Sequence, residues 1–138
     1  YLLAHGAHLS IGDRNQRTAL WWAVHHDHFT LVRYLIEQGA DVNAGDCRNV
    51  SPLQWAARHQ NTLMAIYLIE HGAEVEVDYM GDPRIALPLT SFVSANNLDM
   101  VVYLIEHGAG KRDIQKGLKM AHYKNFESIA TYLQKHNS

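Results

Sequence analysis

One string recurs along this chain and sets what it can fold into. Tyr-Leu-Ile-Glu-x-Gly-Ala occurs at 34–40, 67–73 and 103–109, and a degenerate copy, Tyr-Leu-Leu-Ala-His-Gly-Ala, occupies 1–7. The four tyrosines stand 33, 33 and 36 residues apart. A period of that length marks a repeat architecture, in which each unit buries its apolar face only against its neighbours.

Each period reads as turn, helix, turn, helix. After Gly39-Ala40 comes a polar turn containing Asp46 and Asn49. Ser51-Pro52-Leu53 then opens a helix expected over 53–59, because proline at the first helical position gives up only an N–H that would be orphaned anyway. A break falls at Gln60-Asn61, and a second helix is expected over 63–71, closed by Gly72. Gly6, Gly39 and Gly108 are the corresponding closers, each placed where a left-handed residue ends a helix. No strands are expected beyond a hairpin-like turn. The fold class is therefore all-α, a solenoid of helix-turn-helix units.

In motif, order and period the chain resembles the ankyrin repeat family, whose pattern runs Asp-x-x-Gly-x-Thr-Pro-Leu-His-x-Ala-Ala, a second helix, then Gly-Ala-Asp-Val-Asn. Asp13, Thr18-Ala19-Leu20, Ala23 and Gly39-Ala40-Asp41-Val42-Asn43 match it. So do Asp46, Ser51-Pro52-Leu53, Trp55-Ala56-Ala57 and Gly72-Ala73, then Asp82, Pro88-Leu89 and Gly108-Ala109. The expected organisation is a partial unit at 1–12, repeats at 13–45, 46–81 and 82–112, and a C-terminal capping repeat at 113–138. The cap is shortened and lysine-rich, as a terminal face without a neighbour requires. Three extra residues lengthen the finger around Asp78-Tyr79-Met80. The family's histidine position is held by Trp21, Gln54 and Thr90. Residues 1–6 read as the end of a helix pair whose first helix is absent, so a longer parent protein is expected.

The resemblance implies a non-catalytic protein-interaction module whose partner lies across loop tips and first helices. The expected contact residues are Arg14, Arg17, Trp21, His25, His26, Arg48, Arg58, His59, Tyr79, Met80 and Arg84. Five of the seven arginines fall at those varying positions and no acidic residue does. The expected partner is thus another protein with an acidic surface, since arginine grips carboxylates bidentately. Trp22 and Trp55, 33 residues apart, read as core or semi-buried packing. Trp21 reads instead as a partly exposed anchor. Leu31, Met64 and Met100 share one register and are expected to stack in the core. Asn43 is similar to asparagines that animal hydroxylases modify in ankyrin proteins, but its expected role is to brace the turn.

Composition closes off other readings. The 138 residues are 47% hydrophobic and 19% charged, which excludes a disordered charged tail. Twelve basic against fourteen acidic residues leave a net charge of −2, so no nucleic-acid partner is expected. No apolar run approaches the ~20 residues of a membrane span. One cysteine, Cys47, excludes a disulfide framework. The opening residues carry no signal segment, and a cytoplasmic monomer is expected. No dinucleotide, phosphate-loop, nucleophile-elbow or His-Glu-x-x-His motif occurs, and no cofactor is expected.

Ten histidines invite a metal reading, His25-His26-Asp27-His28 above all. A structural zinc wants four ligands and a catalytic one three plus water. His59, the repeat equivalent of His26, should stand ~8–10 Å away, one helix spacing, so no metal is expected. His5, His71 and His107 all precede the closing glycine, where a helix C-terminus favours cationic or polar side chains. What the histidines leave is an expected pH sensitivity of binding through His25, His26 and His59. An alternative keeps the same residues as binders within a larger enzyme's targeting or regulatory segment. The uneven repeats are also similar in style to ankyrin effectors that intracellular bacteria deliver into the host cytosol.

Overall fold

A computed structural model describes residues 12–48, 50–75 and 87–136. Eight helices and no strand occur among them: α1 Ala19–His25, α2 Phe29–Glu37, α3 Pro52–Arg58, α4 Thr62–Glu70, α5 Pro88–Ser94, α6 Leu98–Glu106, α7 Lys111–Tyr123 and α8 Glu127–Lys135. The odd-numbered helices are the first of each pair and the even-numbered the second. Two compact units are distinguished, one of Tyr1–Ala56 with Leu63–Ala73, the other of Ala57–Thr62 with Glu74–Ser138.

The recurring Gly-Ala is a hydrogen-bonded helix stop. After α2, Gly39 takes φ +96°, its N–H reaches Ile36 O at 3.0 Å, and the Ala40 N–H reaches back to Leu35 O at 3.0 Å. Gly72-Ala73 and Gly108-Ala109 repeat this pair of bonds. The leucine, glycine and alanine of the string are therefore one device, which satisfies the last orphan carbonyls. Asp27, Asn96 and Asn125 close the first helices the same way, with φ of 56°, 57° and 61° and no glycine. Gln60, at φ 58°, holds the same position, and its amide Nε2 donates to Ala57 O at 3.2 Å and Ser91 O at 2.8 Å.

Helix starts differ from repeat to repeat. Thr18 Oγ1 accepts the Trp21 N–H at 3.2 Å at the head of α1. Ser51 and Gln54 form a reciprocal capping box on α3, at 3.2 and 2.8 Å. Pro88 opens α5, where the Thr90 and Ser91 hydroxyls both donate to Leu87 O at 3.0 Å. Of the residues replacing the family histidine, Gln54 closes its own helix start, Thr90 bonds the Leu87 carbonyl, and Trp21 contributes only its backbone N–H.

Met64 and Met100 are buried as expected, with Leu20, Leu35, Leu53, Leu68, Leu89 and Leu104. Leu31 is not. It is 39% exposed, and Tyr34, one helical turn on, is exposed to the same degree, so that face of α2 is turned to solvent. Each expected helix begins one residue early, at Pro52 and Thr62. The capping unit is shortened in its loop and not in its helix: Gly110 caps α7 directly, and α7 runs 13 residues against seven for α1, α3 and α5. The expectations for residues 1–11 and for the finger around Tyr79 lie outside the described residues.

Candidate binding surface

In the first unit, two aspartate-centred loops carry the arginines. The Asp13 N–H donates to Arg17 O at 3.2 Å, while its Oδ1 accepts from the N–H groups of Asn15 and Arg17 at 2.9 and 3.1 Å. Gln16 takes φ 60° where the family pattern has glycine. Thirty-three residues on, Asp46 repeats the arrangement, accepting from the N–H groups of Arg48 and Val50 at 2.9 and 3.1 Å. The two loops are joined, because the Cys47 N–H donates to Asn15 O at 2.7 Å. Arg14 and Arg48, each next to one end of that bond, are both exposed.

Arg17 is otherwise engaged. Its Nε lies 3.0 Å from Asp13 Oδ2, and its guanidinium sits 4.5 Å from the Trp22 ring centroid. Trp22 Nε1 donates to the same carboxylate oxygen at 3.3 Å. On α1 the indoles and imidazoles pair four residues apart: Trp21 stacks on His25 with centroids 5.1 Å apart, and Trp22 on His26 at 5.6 Å. Trp55 adds a ring 5.3 Å from Trp21 and 4.6 Å from His25. The result is one continuous aromatic cluster, its two stacked pairs meeting edge to face, with the Arg17 guanidinium and the His26 imidazole both against Trp22.

Partial desolvation alone would raise the Asp13 carboxyl. The N–H and guanidinium of Arg17, the N–H of Asn15 and the Arg17 charge outweigh it and hold the carboxyl below its ordinary 3.8. A depressed folded-state value means stability that is present above the unfolded value and lost as pH falls through the folded one. The thermal midpoints of wild type and Asp13→Asn should therefore differ at neutral pH and converge on acidification below about 3.8. A gap that stays constant to the acid limit would refute this account of the loop.

The exposed-anchor expectation for Trp21 is corrected: the side chain is only 5% exposed, as Gln54 at the equivalent position is 2% exposed. That position faces inward in the first two repeats and is half-buried at Thr90 in the third. The Trp21 Nε1–H finds no acceptor among the described residues. A second correction concerns charge, because Asp13 lies among the basic positions. His26 is exposed and His25 half-buried, while Arg58 and His59 are exposed at the end of α3, within the second unit's share of that helix turn. Tyr79, Met80 and Arg84 lie outside the described residues.

At the ends of the second helices, His71 and His107 place Nδ1 2.8 Å from the carbonyls of Tyr67 and Tyr103 and stack on those rings at 4.1 and 4.0 Å. A carbonyl cannot donate, so Nδ1 carries the proton. His136 does the same to Tyr132 at 3.0 Å. Tyr132-Leu133 with His136 is a fifth, worn copy of the string, overlooked because it lacks Ile-Glu and Gly-Ala. Asn43 braces as expected, its Nδ2 donating to Gly72 O at 3.1 Å.

Among the described residues no three His, Cys, Asp or Glu side chains are placed to hold a metal ion, and no helix is long and apolar enough to cross a membrane. Helix pairs closed by a repeated glycine stop and led by aspartate-centred loops define a helical-repeat protein. The chain belongs to the ankyrin repeat family, whose model for ankyrin repeats in three copies matches residues 1–79. Comparison with curated proteins finds no match. Ankyrin repeats are generally protein–protein interaction modules and typically non-catalytic.

Proposed function

We propose that this chain is a non-catalytic, cytoplasmic module that binds an acidic protein through its loop tips and the ends of its first helices. The observation that carries the reading is the Asn15–Cys47 bond, which sets the exposed Arg14 and Arg48 on two loops tied tip to tip. Both loop carboxylates accept bonds from their own loop's N–H groups, Asp13 from two and Asp46 from two. The neighbouring guanidinium groups are presented outward on braced backbone, which lowers the ordering cost of gripping carboxylates. His26, stacked on Trp22, extends the set within the first unit, and Arg58 and His59 are proposed as contacts of the second. The repeats are read as 13–45, 46–81 and 82–112, with the capping repeat at 113–138.

The test is affinity capture from lysate, quantified by mass spectrometry, with wild type against Arg14→Glu/Arg48→Glu. A partner that wild type retains and the double reversal loses by about tenfold or more, ~1.4 kcal/mol, supports the reading. Partners captured equally by both would sink it.

A further inference from the structure

We propose that in the second unit the turns after α3, α5 and α7 form a docking ridge for an extended acidic peptide, and that Tyr123 and Lys124 of the capping repeat are contact residues on it. The inference rests on the acidic-partner reading above and extends it to the capping unit.

Register comes first. The left-handed residues Gln60, Asn96 and Asn125 mark equivalent points of three successive turns. The residues two and one before them are therefore equivalent as well: Arg58 with Ser94 and Tyr123, and His59 with Ala95 and Lys124. The capping repeat, although its loop is lost, keeps this edge in register with the others.

Hydrogen bonds then tie the three turns into one edge. Gln60 Nε2 donates to Ser91 O at 2.8 Å, and Ser94 Oγ donates to the same carbonyl at 2.8 Å. Lys124 Nζ reaches Ser94 O at 3.3 Å, so its cationic end lies over the close of α5. At the two equivalent positions the middle turn carries the small Ser94 and Ala95, between the larger Arg58 and His59 on one turn and Tyr123 and Lys124 on the other.

Chemistry selects the occupant. The turn segments 57–61, 94–97 and 122–126 contain Arg58, His59, His122 and Lys124 and no carboxylate; the nearest in sequence, Asp99 and Glu127, open the second helices. Tyr123 is 86% exposed, more than any other large hydrophobic side chain described. A tyrosine offers an apolar face and a hydroxyl donor to a partner, at the cost of few rotors. Beside a lysine, that suits a carboxylate and the stem that carries it. Three turns one helix spacing apart cover ~20 Å, the reach of about six extended residues, so the fit is to a short strand-like segment.

Selection from a random peptide display library on the immobilised full chain tests this. Enriched peptides should be rich in Asp and Glu, and their synthetic forms should bind Tyr123→Ala/Lys124→Gln about tenfold or more weakly by fluorescence anisotropy. The exposure of both side chains keeps the variant folded, which circular dichroism checks. Acidic peptides that ignore this variant but lose affinity on Arg14→Glu/Arg48→Glu would overturn the ridge and leave the broader reading standing. A selection without acidic enrichment would overturn both. Single-stranded DNA competing as well as the peptide would overturn the peptide as occupant.

Discussion

Gly117→Leu is expected to cost this protein ~2–3 kcal/mol, the upper range for overpacking a closed interior. Gly117 sits in the middle of α7, where a glycine forfeits ~1 kcal/mol of helix propensity against alanine. Its compensation is steric. A Cβ there would stand 3.3 Å from both Leu133 Cδ1 and Val93 Cγ2 and 3.7 Å from Leu89 Cδ2. The missing side chain is what lets α5, α7 and α8 meet, and Leu89, Val93 and Leu133 are all fully buried. A single methyl meets only movable side-chain ends, so Gly117→Ala should stay within ~1 kcal/mol of wild type. Leucine's three further heavy atoms have nowhere to go. In a repeat protein each unit leans on its nearest neighbour, so the damage should show first as amide exchange in α7 and α8, ahead of a lowered global melting midpoint. A Gly117→Leu midpoint equal to that of wild type would show that the interface tolerates bulk and that the contact reading is wrong.

That glycine was invisible to sequence reasoning, and the reason is instructive. The closing glycines at 39, 72 and 108 announce themselves because backbone conformation requires them, at φ near +100° in each case. Local requirements of this kind recur with the repeat and can be read from spacing alone. Gly117 has no such local signature; its reason is a contact with residues 16 to 28 positions away. The same division runs through the binding surface. The aspartate loops, the helix stops and the arginine tips follow from residue type and period. The inward turn of Trp21 does not, since it depends on which side of α1 the neighbouring helix lies. The pairing of Arg17 with Asp13 was open to view as an i, i+4 opposite-charge pair, yet a reading that grouped arginines by repeat position separated it from its partner.

Trp22→Ala should lower stability by ~2 kcal/mol, less than the ~3–5 for a fully buried tryptophan because this ring is half-exposed. Three things depend on the indole: the Arg17 guanidinium over one side, His26 stacked at 5.6 Å, and the Nε1–H bond to Asp13. Trp22→Phe keeps a ring for stacking and loses the bond to Asp13, so it should cost ~1 kcal/mol, the net worth of one hydrogen bond. The two substitutions therefore divide packing from hydrogen bonding at one position. They also divide structure from binding. If Trp22 holds the Asp13 loop in shape, then Trp22→Ala loosens the backbone that presents Arg14, and affinity for an acidic partner falls several-fold although Trp22→Ala removes no charge. Trp22→Phe, with the stack intact, should bind nearly as wild type does. Equal affinities for all three proteins would mean that the stack stabilises α1 without positioning the loop, and that Arg14 finds its partner without that support.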